Sequence, residues 1–181
     1  MIIGITGTLG AGKGTVVEYL QTKGFKHYSA RGVFNEEIAR RGWVSNRDNM
    51  VIVANELREQ YGSDFFARRA LEKAHEYEGN AVIESIRTIG EANYLKSQGA
   101  LLWAVDAEIH LRYERIQKRA SETDKISFEK FQADERLEFA NTDPTKQNLS
   151  EVMTMSDAIF YNNGTLEDLF RQVEQVLQKT K

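Results

Sequence analysis

At 181 residues with no cysteine, the chain has room for one α/β domain with a sizeable core, and nothing argues for an oxidising compartment, a structural zinc site or a thiol nucleophile. Its net charge of −3 disfavours general nucleic-acid binding but leaves room for a local basic pocket. An apolar strand begins at Ile2 and no apolar run approaches the roughly 20 residues a bilayer span needs, so a cytoplasmic protein without leader or membrane partner is expected.

Ile2, Ile3 and Ile5 form a short β-branched run, followed at once by Gly7 to Thr15, which reads G-T-L-G-A-G-K-G-T. Gly7, Gly12 and Lys13 satisfy the spacing G-x-x-x-x-G-K, in the strand-then-helix context that a phosphate-binding loop requires. Gly10, Ala11, Gly12 and Gly14 make the turn, whose N–H groups point inward at an anion together with the positive end of the next helix. Lys13 adds a mobile charge for the β- and γ-phosphates. A dinucleotide-binding turn is disfavoured: the glycines are spaced G-x-G-x-G, and no acidic residue closes the next strand near Tyr28 to hold a ribose.

A first helix is expected over Thr15 to Gln21 and a strand over Phe25 to Ser29. The charged stretch Arg31 to Glu78 carries apolar residues at helical spacing and is punctuated by Gly42 and Gly62 into about three helices, with Ser45 and Ser63 as N-caps. Ala81, Val82 and Ile83 form a buried strand ending in Glu84, and Arg87 follows. Then come a helix at Glu91 to Gln98, a strand at Leu101 to Val105, charged helices at Glu108 to Ala120 and Phe128 to Phe139, a strand at Ala158 to Tyr161 and a final helix at Leu166 to Gln178. Strands alternating with helices predict a five-stranded parallel sheet flanked by helices, one domain over 1–181, with residues 31–77 inserted as a helical unit. Pro144 marks a boundary. His27, His75 and His110 form no metal-ligand pattern, and Trp43 and Trp103 are assigned to packing, with the acceptor pocket an alternative place for Trp43.

The order G-K-G-T at Gly12 to Thr15 resembles the adenylate kinase and wider nucleoside monophosphate kinase group, a three-layer P-loop NTPase fold. Val82 to Thr88 resembles the stretch in which, in that family, an acid near magnesium ends the third strand and an arginine grips the acceptor phosphate. The resemblance implies ATP and Mg2+ as cofactors, Thr15 and Glu84 near the metal, and catalytic roles for Lys13 and Arg87. Arg115 and Arg119 resemble lid arginines, and Arg136-Leu137-Glu138-Phe139 looks like the helix after a short lid at 119–128. Arg119 and Arg136 would then close over the transferring phosphoryl group. Asp157 to Val173 is similar to dephospho-CoA kinases and related archaeal kinase-like proteins, which implies Asn163 and Gly164 for the ATP base.

The acceptor is argued from the second strand. A kinase acting on a hydroxyl benefits from a nearby carboxylate base, whereas a phosphate acceptor is already anionic. After Ser29 there is no acid until Glu36, and Arg31 follows the strand directly. Arg31 is therefore expected to bind the phosphate of a nucleoside or deoxynucleoside monophosphate; the resemblance implies Arg87 beside it, and Ser29 as well, since His27-Tyr28-Ser29-Ala30 resembles the turn that opens the acceptor domain of adenylate kinases. A monomer or homodimer is expected. A dephospho-CoA kinase-like enzyme and an ATP-binding regulator without turnover are the alternatives. A GTPase switch lacks its guanine-binding motif.

Overall fold

In a computed structural model, residues 1–119, 126–141, 143 and 146–180 are described, with residues 30, 31, 33 and 47 described by backbone alone. Five parallel strands, β1 (Ile2–Gly7), β2 (Lys26–Ser29), β3 (Ala81–Glu84), β4 (Leu101–Asp106) and β5 (Ala158–Tyr161), form one sheet in the order β2-β3-β1-β4-β5. Among the described residues the helices are α1 (Lys13–Thr22), α2 (Ala30–Arg40), α3 (Arg47–Tyr61), α4 (Phe65–His75), α5 (Ile89–Ser97), α6 (Ile109–Arg119), α7 (Phe128–Phe139), α8 (Leu149–Thr154) and α9 (Leu166–Lys179). None of them is long and apolar enough to cross a membrane.

The alternation of side chains along each strand divides the core in two. Ile3, Ile5, Val82, Trp103 and Val105 point to one face, where α1 brings Val16, Val17 and Leu20 and α9 brings Leu169, Val173 and Leu177. Ile83 and Leu102 point to the other, against Ala67, Ala70 and Leu71 of α4 and Ala92 and Leu95 of α5. Strand residues buried on both faces explain why these segments read as continuous apolar runs. A third, smaller cluster of Ala54 and Phe66 with Phe34, Leu57 and Phe65 gives α2–α4 a core of their own.

Several expectations are corrected in detail. The cap of α3 is Asn46, whose side chain accepts from Asn49 N at 2.8 Å, and not Ser45, which turns its hydroxyl to Asn35. Before α4 the cap position is Asp64, one residue past Ser63. The helix α8 was not expected; six residues are too short to show a helical period, yet Leu149 and Val152 are buried beneath it. Trp103 is in the core as expected, but Trp43 is 41% exposed, with the Arg41 guanidinium 5.0 Å over its ring, and is not on the wall of the cavity described below. Pro144 lies outside the described residues.

All five strands run the same way, so their C-terminal ends share one edge of the sheet. There β1 lies between β3 and β4, the point at which successive connections part to opposite sides and where open α/β sheets bind ligands.

Candidate nucleotide-binding site

From β1 the chain turns through residues 8–12 into α1. The turn closes so tightly that side chains cannot be accommodated: a Cβ on Gly7, at φ 129, would stand 2.0 Å from Val105 O, and one on Gly12, at φ 101, 2.4 Å from Asn162 Nδ2. The first turn of α1 has no acidic residue and no side chain caps its N–H groups, so its positive end is left for a ligand. Side chains brace the turn from outside. Thr8 Oγ1 donates to Asp106 Oδ1 at 2.6 Å, Asn162 Nδ2 donates to Ala11 O at 2.8 Å, and Arg112 Nη1 reaches Leu9 O at 3.3 Å while gripping Glu135 of α7.

Beside this turn opens a cavity of about 570 Å³. Gly10, Gly12, Lys13, Gly14 and Thr15 line one end, Glu84, Ser85 and Arg87 the middle, and Phe34, Met50, Val51, Ala54 and Arg58 the side formed by α2 and α3. Arg115 and Arg119 of α6 with Glu138 and Gln147 complete the wall. Five cations face three carboxylates, Glu18, Glu84 and Glu138, a local excess of positive charge on a chain of net −3. That sign favours a polyanionic ligand.

Lys13 Nζ donates to Gly7 O at 2.8 Å and Thr8 O at 2.7 Å. Lys13 keeps partial exposure, yet chain atoms surround its ammonium; their burial, and next the Arg87 charge, lower its pKa to about 7. Burial also pushes the Glu84 carboxyl upward, but His27, Lys13 and Arg87 together outweigh it and hold the group below its usual range. His27 Nε2 stands 3.4 Å from Glu84 Oε2 without the alignment of a hydrogen bond. Arg87 Nη1 donates to Glu138 Oε2 at 2.7 Å and to Gln147 Oε1 at 3.0 Å. Arg115 Nη2 donates to Asn162 O at 2.9 Å.

Most of the residues singled out from sequence therefore meet in one place. Gly10, Gly12, Lys13, Gly14, Thr15, Glu84, Arg87, Arg115 and Arg119 all line the cavity. Gly7 and Ala11 lie behind the wall: Ala11 is fully buried in the core and its N–H turns to Thr8 O. Ser29 ends β2 opposite Glu84 in register but is not on the cavity wall. Arg31 falls in the first turn of α2 and its side chain lies outside the description, as do residues 120–125 of the expected lid at 119–128.

Arg136 and the Asn163–Gly164 pair are placed differently from expectation. Arg136 is exposed on α7 and outside the cavity, because the face of α7 turned inward carries Glu135, held by Arg112, and Glu138, held by Arg87. Asn163 and Gly164 are exposed; Asn163 Oδ1 accepts from Glu108 N at 2.7 Å, and it is the preceding Asn162 that touches the phosphate-binding turn. Sequence reading also missed Ser85, the one non-glycine residue at positive φ among those described, at φ 75. Its left-handed backbone sits between the Ile5 O···Ile86 N bond and Glu84 and turns the chain from β3 toward Arg87. Arg58 was missed as well, since a lone arginine in a charged helix carries no local signal.

Among solved structures, TT1252 from Thermus thermophilus superimposes with a TM-score of 0.67 at 22% identity, covering 100% of this chain and 98% of that one. Shikimate kinase from Bacteroides thetaiotaomicron does so with a TM-score of 0.60 at 13% identity, over 98% of each chain. At such identities the likeness is one of fold, here the kinase-like P-loop fold. In sequence, the chain is 28% identical over 186 residues to a UPF0200 protein of Thermococcus onnurineus, covering 99% of this chain and 97% of that one. It is 30% identical over 184 residues to a UPF0200/UPF0201 protein of Archaeoglobus fulgidus, spanning 55% of that longer chain. Residues 3–138, from the first strand through the phosphate-binding turn to the cavity-facing helix α7, match the AAA domain family AAA_18, and the chain belongs to it.

Proposed function

We propose that the protein is an ATP-dependent phosphotransferase that moves the γ-phosphoryl group of ATP to a nucleoside or deoxynucleoside monophosphate. The observation that carries this reading is the single cavity that joins the phosphate-binding turn, through Glu84 and Arg87, to the helical insertion. A donor held at one end and an acceptor at the other would have their phosphates meet at Arg87.

The chain's contribution is positioning and charge neutralisation. Amides of the turn and the α1 N-terminus cradle the donor, and Lys13 leaves the carbonyls of Gly7 and Thr8 to reach its β- and γ-oxygens. Arg87 exchanges Glu138 for the acceptor phosphate, its rigid fork suiting two oxygens at once. Arg115 and Arg119 add charge from α6. The acceptor oxygen bonds to the γ-phosphorus as the bond to the bridging oxygen breaks, and ADP leaves with that electron pair. No general base is required, because the acceptor oxygen is anionic.

The residues present fit a magnesium ion of the kind that keeps waters and phosphate ligands. Thr15 and an ionised Glu84 share the cavity, and no group of three or more metal-ligating side chains occurs among the described residues to hold an ion unaided. Magnesium, when bound there, neutralises charge on the β- and γ-oxygens.

One observation favours a second reading. Glu84 lies across from Ser29 in register and is ionised, so a carboxylate absent from the end of β2 is supplied by β3. A hydroxyl acceptor, as in a dephospho-CoA kinase-like enzyme, would find its base there. The test is ADP release from ATP and magnesium, screened against ribo- and deoxymonophosphates and dephospho-CoA. Stimulation by a monophosphate is expected; stimulation by dephospho-CoA alone transfers the reading to the second enzyme. ATP binding without stimulation by any acceptor would leave a nucleotide-binding regulator.

A further inference from the structure

Met50, Ala54 and Arg58 recur every four residues along α3, with Val51 beside them, so one stripe of that helix faces the cavity. Together with Phe34 of α2 the stripe makes an apolar wall that ends in a cation. Arg58 is 1% exposed, and its guanidinium carbon lies 5.0 Å over the Phe66 ring. Nη2 and Nε both donate to Glu91 Oε1, at 3.0 and 3.4 Å. Nη1 has no hydrogen-bond partner among the described residues.

A buried N–H without an acceptor is costly, so a ligand atom able to accept there gains more than it would at a solvated arginine. Glu91 cannot turn to serve Nη1 as well. Its Oε2 accepts from Arg87 N at 2.7 Å and Thr88 N at 3.0 Å, and these bonds cap α5. Because Glu91 already neutralises the guanidinium, Nη1 is left as a directional donor that a neutral oxygen satisfies. The acceptor's anionic end has Arg87.

We infer that Arg58 reads the base of the acceptor nucleotide and selects an oxo oxygen over an exocyclic amino group. The inference rests on the monophosphate reading above. A flat ring lies well against the wall of Phe34, Met50, Val51 and Ala54, and an oxo oxygen at its edge pairs with the N–H of Arg58. An amino group in the same place sets N–H against N–H and leaves both unpaired. Arginine recognises the O6 of guanine by the same chemistry in nucleic-acid grooves.

Two substrate pairs exchange this group, together with the proton on the adjacent ring nitrogen: inosine against adenosine monophosphate, and uridine against cytidine monophosphate. In steady-state assays with ATP and magnesium, the oxo member of the pair that is turned over faster should exceed its amino partner about ten- to a hundredfold in kcat/KM, chiefly through KM. The double variant R58M/E91Q removes both charges of the buried pair while keeping a side-chain oxygen for the amides of Arg87 and Thr88. It should bring that ratio close to one. Should the double variant not fold, R58K keeps a partner for Glu91 but loses the planar fork, and the ratio should fall there too.

A wild-type preference for the amino member overturns the inference, as does a preference that survives in the folded variant. Turnover of monophosphates without base preference overturns it alone and leaves the kinase reading standing. No turnover with any monophosphate removes that reading, and this inference with it.

Discussion

The phosphate-binding end of the cavity is lined by the glycine-rich turn and Lys13, whereas the insertion end is lined by the side chains of Phe34, Met50, Val51, Ala54 and Arg58. The first arrangement is held by backbone geometry: a Cβ on Gly7 would stand 2.0 Å from Val105 O and one on Gly12 2.4 Å from Asn162 Nδ2, and Asp106, Arg112 and Asn162 brace the turn. The second is held by a buried ion pair and a small aromatic cluster on helices that carry their own core. The difference teaches why a shared fold is a good guide to the phosphate-binding end and a poor one to the insertion end. Amides present the same N–H whatever the sequence, while the insertion wall changes with every substitution on α2 and α3.

The contrast can be broken at either end. Lys13→Ala removes the one mobile charge at the amide end and should lower kcat/KM by about 10³–10⁵-fold if it matters as other charges in phosphoryl transfer do, with the melting temperature unchanged or raised, since the lysine is desolvated. Turnover within tenfold of wild type would remove Lys13 from the chemistry. At the other end, Arg58→Met alone leaves Glu91 buried and unpaired and should cost about 3–5 kcal/mol in denaturant unfolding, most of it recovered in R58M/E91Q. Equal stability of the single and double variants would show that the pair does not hold the insertion.

Glycine substitutions sharpen the comparison. Gly7→Ala drives a Cβ against the Val105 carbonyl and should destabilise by about 3 kcal/mol or more, whereas Gly14→Ala, with nothing within 4 Å and a place inside α1, should stabilise by about 0.5–1 kcal/mol. Urea unfolding of both checks the sign reversal.

The smallest effect concerns protons. Free Lys13 titrates at about 7, and a bound triphosphate would raise that value. Between the two, binding takes up a proton, so affinity should fall as the pH rises above about 7, by at most about tenfold per pH unit. Calorimetry in buffers of different ionisation heat measures the uptake directly; identical heats in all buffers would mean that Lys13 is already charged before binding.

The donor end was legible because its information is local: nine consecutive residues, Gly7 to Thr15, specify turn, helix start and charge together. Glu84 and Arg87 were legible for a related reason, since one ends and the other closely follows an apolar strand whose C-terminal end points at the site. Arg136 and Arg58 show the limit. They sit in similarly charged helices, yet one is exposed on α7 and the other is 1% exposed on α3. Helical phase against neighbours distant in sequence decides which, and Glu91, thirty-three residues from Arg58, supplies the deciding partner.

By itself, the order of residues determined the parallel α/β architecture, the number of strands and the position of the phosphate-binding turn, because strand burial, glycine placement and the lysine spacing are properties of short stretches. Tertiary structure alone decided that Asn162 and not Asn163 clasps the turn, that Glu138 engages Arg87, and that Arg58 lies buried at the cavity wall with one nitrogen unpaired among the described residues. These depend on the packing of elements far apart in the chain, where a shift of one helical position exchanges a solvated charge for a buried one.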